Sequence, residues 1–494
     1  MEDYFSVYRD GIIGIDQTFN SPFGERKIIY ADWTASGRMF MPLEEKMIEE
    51  FFPFVANTHT EATKTGKTMT MAYHLAHDII KKHVNASSTD IIITPDTGMT
   101  GAVNKFQRIL GLKVPEQLQK FIHLDEVDRP IVFVTHMEHH SNQTSWLVTM
   151  ADVVHLEPDA DGLVNLEDLE NNLKHFANRK TIIGAFTACS NVTGIQTNYH
   201  DMAKLMHEYG GYCFVDFAAS APYIDINMHP EDESKKIDAI FFSPHKFLGG
   251  PGSSGVLIFD SKLYHNKIPD NTGGGTVKWT NPWGQHSFIE DIEAREDGGT
   301  PGFLQTIRAA LAIKLKDEMG VENMLERERE IVKIAFDEMR KIPNLHILAD
   351  NIEHRLAIMS FYVENIHYNL IVKLLNDMFG VQTRGGCSCA GTYGHYLLHV
   401  NVDTSNMITS EIESGCLFDK PGWVRASFHP TTTDEEVYYV CDSIKYVVEN
   451  IEELEKEYTH NPLTNEFNHR SFVDVDEVKI KNWFEIKGSF LFTK

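Results

Sequence analysis

FFSPHKFLGG, residues 241–250, is an apolar run that ends in a lysine and then enters glycines. Taken by itself, Lys246 marks the place where a buried strand reaches solvent and its ammonium group becomes hydrated. The alternative is that the strand delivers an amine into a pocket. Because motifs of this size are common by chance, the rest of the chain has to decide between the two interpretations.

Five short apolar runs precede this one and are separated by helix-like stretches. They are DIIIT (90–94), IVFVT (131–135), VVHL (153–156), TIIGAF (181–186) and YCFVD (212–216). Residues 198–211, for example, place apolar side chains at helical spacing and end in glycine. Almost continuously apolar strands that alternate with helices predict an α/β fold, with a mainly parallel sheet covered on both faces.

The composition disfavours several classes of protein. The chain has 494 residues and a net charge of −26, from 45 Lys plus Arg against 71 Asp plus Glu. Such a surface repels phosphate backbones and anionic lipid, so we expect no nucleic-acid or membrane partner. No signal-peptide pattern and no apolar run of roughly 18 residues is present. Six scattered cysteines suit a reduced cytoplasmic compartment, and their spacing predicts no metal site.

The length and the pattern predict two domains with additional segments. We expect residues 1–40 to pack on the small domain, residues 41–310 to form the large domain and residues 311–455 to form a smaller α+β domain. Residues 456–494 form an extension with no assigned role. A polar insertion at about residues 400–420 interrupts the small domain.

Polar residues follow five of the predicted strands. They are Gly98, Met99 and Thr100 after the first, His139 after the second, Asn191 after the fourth, Asp216 at the end of the fifth, and Ser243, His245 and Lys246 after the sixth. Ligands of open α/β sheets bind outside the carboxyl ends of the strands. These residues therefore predict a ligand site at one edge of the sheet.

The residue types at this edge favour pyridoxal 5'-phosphate (PLP). Lys246 supplies the amine that forms a Schiff base, and Asp216 supplies the acid that keeps the pyridine nitrogen protonated. The turn at residues 98–100 opens a helix, where backbone amides bind phosphate well. Taken singly, Asp216 also suits a helix cap and His139 an ordinary core histidine. Their common placement at strand ends favours the cofactor.

Nine motifs resemble the class V aminotransferase and cysteine desulfurase family of fold-type I PLP-dependent enzymes, over about residues 28–445. They are IIYADWTASGR (28–38), TGMTGAVN (97–104), MEHHSN (137–142), SNVTG (190–194), VDFAAS (215–220), SPHKFLGGPGSSG (243–255), GGGTV (273–277), GGTPG (298–302) and RGGCSCAG (384–391). The resemblance implies a large domain with a seven-stranded, mainly parallel sheet and a smaller α+β domain.

The resemblance also implies a role for each candidate residue. Lys246 looks like the Schiff-base lysine, Asp216 like the partner of the pyridine nitrogen, His139 like the ring that stacks on the cofactor, and Asn191 like a contact to its phenolic oxygen. The implied phosphate contacts are Gly98, Met99 through its amide, Thr100, Ser243 and His245. One position departs from the family, because Ala219 stands where a glutamine or histidine is usual.

A shared active site is a further implication. In the family, a threonine of the type found in GGTPG reaches the phosphate of the neighbouring subunit. Thr300 therefore implies a homodimer with shared sites, and Thr276 is a second candidate for the same contact.

Two arginines are candidates for holding a substrate carboxylate, because a planar guanidinium matches two oxygens. Arg425, in GWVRASFHP (422–430), aligns with the family's carboxylate anchor, and Arg384 is the second candidate. A surface salt bridge is the alternative interpretation of either residue.

The motif RGGCSCAG bears on the reaction. In desulfurases a cysteine five residues after an arginine attacks the substrate's sulfur, and Cys389 lies five residues after Arg384. Cys387 lies where one branch of the family usually has histidine, and the Cys-x-Cys arrangement resembles molybdenum-cofactor sulfurases. Whether Cys389 or Cys387 is the nucleophile stays open, and Cys389 as a small buried residue is the plain alternative.

The expected activity is cysteine desulfuration, which converts L-cysteine to L-alanine and leaves a persulfide on Cys389 for a sulfur-acceptor protein. The alternative is a class V aminotransferase or C–S lyase that acts on another amino acid. A non-catalytic binding protein with this fold is a third reading, which the presence of both Lys246 and Asp216 disfavours.

Overall fold

The computed structural model of the protein describes residues 1–58, 60–95, 97–418, 420–473 and 476–485. The last nine residues of the predicted C-terminal extension, 486–494, lie outside the described residues. None of the described helices combines the length and the apolarity needed to cross a bilayer.

A seven-stranded sheet forms the centre of the large domain. In spatial order its strands are Asp90–Ile93, Val256–Asp260, Ala239–Phe242, Tyr212–Asp216, Ile182–Thr187, Ile131–Val134 and Asp152–His155. Only Val256–Asp260 runs antiparallel to its neighbours, and the other pairs are parallel. The prediction of a mainly parallel sheet is confirmed, and the strand at Val256–Asp260 is an element that the reading of the apolar runs missed.

Alternation along the strands places apolar side chains on both faces of the sheet. Phe241 packs in one core and its neighbour Phe242 in the other, and both are completely buried. The helices Gly98–Ile109 and His140–Leu147 contribute buried side chains to the core that contains Phe241. The other core receives side chains from Lys64–His83, Leu166–His175, Tyr199–Glu208 and Phe303–Met319. The sheet is therefore covered on both sides.

The small domain is built on a four-stranded antiparallel sheet. Its strands, in spatial order, are Leu345–Ile347, Ile358–Val363, Trp423–Ser427 and Arg384–Gly386. The helices of this part of the chain are Val321–Met339, Tyr368–Phe379, Gly391–Leu397, Val402–Glu413, Asp434–Glu449 and Ile451–Leu454. Val402–Glu413 contains no buried residue and occupies the polar insertion.

The N-terminal residues contact both parts of the chain. The helix Glu2–Asp10 contributes Arg9, which forms two hydrogen bonds of 2.6 and 2.8 Å to Glu436, and Tyr4, whose hydroxyl donates to the carbonyl of Met319. A hairpin of Thr18–Ser21 and Gly24–Lys27 follows, and the strand Ile29–Tyr30 then pairs in parallel with Val381–Gln382. The chain then enters the helix Met41–Lys46 and the helical turns Met47–Phe51 and Phe52–Phe54.

Several shorter elements complete the fold. They are the helices Glu116–Gln119, Ile292–Glu296 and Asp476–Trp483, the hairpin of Val277–Thr280 with His286–Phe288, and the hairpin of Tyr458–Asn461 with Glu466–His469. The last hairpin lies in the segment whose role the sequence left unassigned.

Candidate active site

The carboxyl ends of the parallel strands open into a cavity of about 240 Å³. The sequence-predicted residues that line it are Met99, Thr100, His139, Asn191, Asp216, Ser243, His245, Lys246, Arg384, Cys389 and Arg425. They come from two domains, because Arg384, Cys389 and Arg425 belong to the small sheet and its following loop. A larger cleft of about 920 Å³, between residues 158–162 and 345–351, contains none of the predicted site residues.

Lys246 reaches the cavity because the strand Ala239–Phe242 ends in the tight turn Pro244–Lys246. The next segment packs against this turn so closely that a Cβ on Gly250 would lie 1.9 Å from the carbonyl oxygen of Pro244. Burial lowers the pKa of Lys246 to about 8, against an opposing contribution from Asp216. A substantial fraction of the amine is therefore neutral near pH 8, as a nucleophilic or proton-accepting lysine requires.

Asp216 is the last residue of the strand Tyr212–Asp216 and is 4% exposed. Its Oδ1 accepts a hydrogen bond of 2.8 Å from the Ala218 amide. Burial raises the pKa of Asp216 to about 6, although this hydrogen bond and Lys246 both oppose the shift. A buried carboxylate with one amide donor retains an oxygen that can pair with a protonated ring nitrogen.

His139 presents a neutral ring to the cavity. It precedes the helix His140–Leu147, and its Nδ1 accepts a hydrogen bond of 3.1 Å from the Ser141 amide. Burial, and then the charge of Lys246, lowers the pKa of His139 to about 3. A flat, uncharged and oriented imidazole is suited to stacking on an aromatic ring.

The predicted phosphate turn begins the helix Gly98–Ile109. Gly98 has a φ of +61°, and Gly255 approaches it so closely that a Cβ there would lie 2.3 Å from the Gly98 carbonyl oxygen. The Met99 amide donates to Ser243 Oγ at 2.8 Å, and Thr100 Oγ1 lies 2.7 Å from Ser141 Oγ. Hydroxyl groups and helix amides thus converge, as an anion site requires.

Asp32 binds both candidate carboxylate anchors. Arg425 Nη2 lies 2.9 Å from Asp32 Oδ1, and Arg384 Nη2 lies 3.0 Å from Asp32 Oδ2. Arg425 Nη1 also donates to the carbonyl of Asn191, and its Nε is buried without a partner among the described residues. Both arginines are therefore fixed near the cavity, but part of their hydrogen-bonding capacity is already used by the chain's own carboxylate.

The loop that carries Cys389 is held in an unusual backbone conformation. Ser388 and Cys389 have φ values of +49° and +56°, a region that costs non-glycine residues roughly 1–2 kcal/mol each. The carbonyl of Cys389 accepts from the His140 amide at 2.7 Å, and the carbonyl of Ser388 accepts from Asn191 Nδ2 at the same distance. The conformation presents the exposed Cys389 at the cavity, within electrostatic reach of Arg384 and Arg425.

The side chain of Asn191 is bonded to the cysteine loop. Its Nδ2 donates to the Ser388 carbonyl, while its Oδ1 is buried with no partner among the described residues. One N–H of the amide group is therefore committed to the cysteine loop. The predicted contact to a phenolic oxygen stays a prediction, and it requires the second N–H of Nδ2.

Thr276 and Thr300 do not line the cavity of their own chain. Thr276 is completely buried and its hydroxyl donates to the carbonyl of Gly273 at 2.8 Å. Thr300 is exposed, and its hydroxyl lies 3.5 Å from Asn57 Oδ1. Their predicted contact to a neighbouring subunit's phosphate stays a prediction.

Sequence reasoning missed several lining residues, chiefly Ser141, Cys189 and Ser388. It also missed Asp32, which pairs with both lining arginines. Asp32 and Ser141 lie inside quoted motifs, IIYADWTASGR and MEHHSN, so an ionisable or hydroxyl side chain in a motif was the available signal. Cys189 precedes SNVTG, and burial raises the pKa of its thiol well above the ordinary value. Such a thiol is a poor candidate for the nucleophile.

The residues present fit PLP. The cavity contains a lysine amine, a buried carboxylate, a neutral aromatic ring and a cluster of hydroxyls at a helix start. The unpartnered Nε of Arg425 and Oδ1 of Asn191 are buried polar atoms that a bound molecule would satisfy. Among the described residues, no three His, Cys, Asp or Glu side chains group as a metal site would require.

A seven-stranded, mainly parallel sheet with a buried lysine and aspartate at its carboxyl edge is typical of the PLP-dependent enzymes of fold type I. A family model described as "Aminotransferase class-V" matches residues 29–440. The chain therefore belongs to the class V aminotransferase family, whose members use PLP.

The curated relatives and the solved structures agree with this family. The chain is 27% identical over 368 residues to a probable cysteine desulfurase of Halalkalibacterium halodurans, which covers 74% of this chain and 84% of that protein. It is 25% identical over 439 residues to a probable cysteine desulfurase of Staphylococcus aureus, covering 88% and 94%.

Two solved structures share the fold. The apo cysteine desulfurase of Thermococcus onnurineus superposes with a TM-score of 0.69 at 23% identity, over 86% of this chain and 95% of that one. The cysteine desulfurase CsdA of Escherichia coli gives 0.68 at 20% identity, over 90% and 98%. At these identities the likeness establishes the fold alone.

Proposed function

We propose that the protein is a PLP-dependent cysteine desulfurase that converts L-cysteine to L-alanine and leaves the sulfur as a persulfide on Cys389. One observation carries the proposal, which is that a single cavity is lined by Lys246, Asp216 and Cys389. The first two residues suit any PLP enzyme, whereas an exposed thiol at the same cavity suits sulfur transfer. The curated relatives named as probable cysteine desulfurases support the same activity.

Three residues of the cavity have distinct roles in the proposed reaction. PLP, when bound, supplies an electron sink for the substrate's α-carbon. Lys246, with a pKa of about 8, accepts and returns the α-proton. Asp216, buried at the strand end, would hold a proton on the ring nitrogen of the cofactor, and the neutral ring of His139 would orient it.

The substrate carboxylate faces Arg384 and Arg425. The free hydrogen-bonding capacity there includes the buried Nε–H of Arg425 and a second N–H on each of its terminal nitrogens, because each terminal nitrogen has one acceptor. A carboxylate at this position places the β-carbon and its sulfur near Cys389, because all three side chains line one small cavity.

Sulfur transfer then takes place between two sulfurs. The Cys389 thiolate attacks the substrate sulfur, an S–S bond forms and the C–S bond breaks. The electron pair of the broken bond stays with the β-carbon, which gains a proton and becomes the methyl group of alanine. Because Cys389 is exposed, a thiol-bearing acceptor protein can approach the persulfide.

We also propose that the enzyme is a homodimer with shared active sites. Thr300 is exposed and neighbours Asn57, and the adjoining segment exposes Ile48, Phe52 and Val55 at 57%, 43% and 45%. Exposed apolar side chains concentrated beside a residue with a predicted role in the partner's site support this arrangement.

The test compares Cys389→Ser, Cys387→Ser and the unmodified holoenzyme. The replacement of Cys389 should lower alanine and sulfide formation from L-cysteine by at least about 100-fold, since it removes the nucleophile. The absorbance of the bound cofactor should stay unchanged in both variants. Cys387→Ser is the matched control, two residues away in the same loop, and should keep most of the activity.

The possible outcomes separate the alternatives. Undiminished sulfide formation by Cys389→Ser would favour a C–S lyase, and a larger loss for Cys387→Ser would make that residue the nucleophile. Borohydride reduction of the holoenzyme should attach the cofactor to the peptide that contains Lys246. Recovery of that peptide unmodified would overturn the assignment of Lys246.

A further inference from the structure

The hairpin formed by Tyr458–Asn461 and Glu466–His469 lies beyond residue 440, where the family match ends. It is nevertheless attached to the small domain through buried contacts. Tyr458 is 3% exposed, and its hydroxyl donates to Asp377 Oδ2 at 2.9 Å. Asp377 belongs to the helix Tyr368–Phe379, so the hairpin is fixed to that helix.

Asn465, in the turn of the hairpin, is hydrogen-bonded to two residues of this helix. It is 6% exposed, although its neighbours Leu463 and Thr464 are exposed, and its φ is +58°. Its Nδ2 donates to the Tyr368 hydroxyl at 3.1 Å, and its carbonyl accepts from Asn369 Nδ2 at 2.6 Å. The turn is therefore bonded to the first two residues of the helix.

Tyr368 links this turn to the segment before the strand Trp423–Ser427. Its hydroxyl donates to the carbonyl of Lys420 at 3.2 Å. Its ring lies so close to Gly422 that a Cβ there would be 2.6 Å from a ring carbon. On the other side, a Cβ on Gly385 would lie 3.2 Å from the same ring and 2.4 Å from Asn369 Oδ1.

Gly385 belongs to the strand Arg384–Gly386, which leads directly into Cys387 and Cys389. That strand pairs with Trp423–Ser427, and the pairing places Arg384 opposite Arg425. The path from Asn465 through Tyr368 therefore reaches the strand pair that positions both arginines and the cysteine loop. Every step of this path is a hydrogen bond or a van der Waals contact.

We propose that the C-terminal hairpin positions the cysteine loop, with Asn465 and Tyr368 as positioning residues that hold the segment 384–389 in its active-site conformation. A loop with two consecutive left-handed residues needs such support, since its relaxed backbone lies elsewhere. The consequence for sulfur transfer rests on the proposed function, whereas the consequence for loop mobility does not.

The test uses three variants of the full-length holoenzyme. Asn465→Gly keeps the left-handed backbone accessible and removes only the side-chain bonds. Tyr368→Phe keeps the ring and removes the hydroxyl that joins Asn465 to Lys420. Leu463→Ala, at a side chain that is 76% exposed in the same turn, is the matched control.

Hydrogen exchange at residues 384–390 and alkylation of Cys389 by iodoacetamide report on the loop. We expect both to become about threefold to tenfold faster in Asn465→Gly and Tyr368→Phe, the range that loss of one or two hydrogen bonds gives, and to stay unchanged in Leu463→Ala. The cofactor absorbance should not change, while kcat for alanine formation should fall by a similar factor. Equal exchange and alkylation rates in all variants would overturn the proposal.

The loop rates (hydrogen exchange and alkylation) and the rate of sulfur release together distinguish the failure of this proposal from the failure of the proposed function. If the loop rates change but no variant, including the unmodified enzyme, releases sulfur from cysteine, the positioning role stands and the proposed function fails. If sulfur is released at equal rates by all variants and the loop rates do not change, the proposed function stands and the hairpin has no part in it.

Discussion

Asp32 shares its carboxylate between Arg384 and Arg425, and this sharing sets the charge that a substrate meets. The two arginines and Asp32 together carry one net positive charge, which one substrate carboxylate balances. A second anionic group on the substrate would find no further cation in this triad. Asp32 thereby favours amino acids with an uncharged side chain, as cysteine has when its thiol is protonated.

Asp32→Asn keeps the shape of the side chain and removes its charge. We expect kcat/KM for L-cysteine to fall about tenfold, because the arginines lose the carboxylate that orients them. Inhibition by an amino acid with an acidic side chain, such as L-aspartate, should become tighter, since the remaining charge is larger. Steady-state alanine formation with and without L-aspartate measures both effects.

The control for this change is Asp16→Asn, which removes an exposed carboxylate that pairs with Lys27. Its kinetics should match those of the unmodified enzyme. If Asp32→Asn also behaves as the unmodified enzyme does, the two arginines are positioned without Asp32.

At the scale of secondary-structure elements, the buried Glu138 joins two strand ends of the large sheet. It accepts hydrogen bonds of 2.6 Å from Thr135 Oγ1, 2.8 Å from Asn142 Nδ2 and 2.8 Å from the Thr187 amide. Thr135 follows the strand Ile131–Val134, and Thr187 ends the strand Ile182–Thr187. Burial raises the pKa of Glu138 to about 8. These hydrogen bonds fix the backbone at Glu138 and therefore the position of the adjacent residue, His139.

Glu138→Ala should lower the free energy of unfolding by about 3 kcal/mol, because four buried donors, including the Thr135 amide, lose their acceptor. Denaturant unfolding measures the loss. Glu116→Ala, at an exposed residue of the helix Glu116–Gln119, is the control and should change stability by less than about 0.5 kcal/mol. A similarly small effect for Glu138→Ala would show that the strand ends hold together without it.

At the scale of the whole molecule, the segment around Phe52 bears on assembly. The turn Phe52–Phe54 packs on the helix Lys64–His83, which also exposes Met71 and Leu75 at 60% and 58%. Thr300 lies beside the same segment, through Asn57. A dimer interface at this surface would bury the apolar side chains and bring Thr300 towards the partner's cavity.

Phe52→Asp should convert a dimer into a monomer, because a charge buried in an apolar interface is costly. Cofactor affinity should fall with it, since Thr300 would no longer reach the partner's phosphate site. Light scattering coupled to gel filtration measures the mass, and Phe121→Asp, at a residue that is 70% exposed elsewhere, is the control. A monomeric unmodified enzyme with full cofactor affinity would contradict the shared-site arrangement.

The parallel sheet and the residues at its strand ends could be predicted from local patterns of the sequence. Apolar runs and helical spacing are local patterns, and the carboxyl ends of parallel strands necessarily meet at one edge, so Asp216 and Lys246 could be placed together. The motifs added the family and a role for each residue. The resemblance to the family predicted the number of seven strands. The six apolar runs alone did not, because they do not include Val256–Asp260.

How these residues are held in place depends on contacts between segments that lie far apart in the sequence. Asp32 meets Arg425 across 393 positions of sequence, and Asn465 meets Tyr368 across 97. Neither pair leaves a periodic or spacing signal, because such contacts depend on how the two domains and the C-terminal hairpin pack. The order of the strands along the chain can be predicted from local sequence patterns. Ion pairs between distant segments form only after folding brings their charged groups within hydrogen-bonding distance.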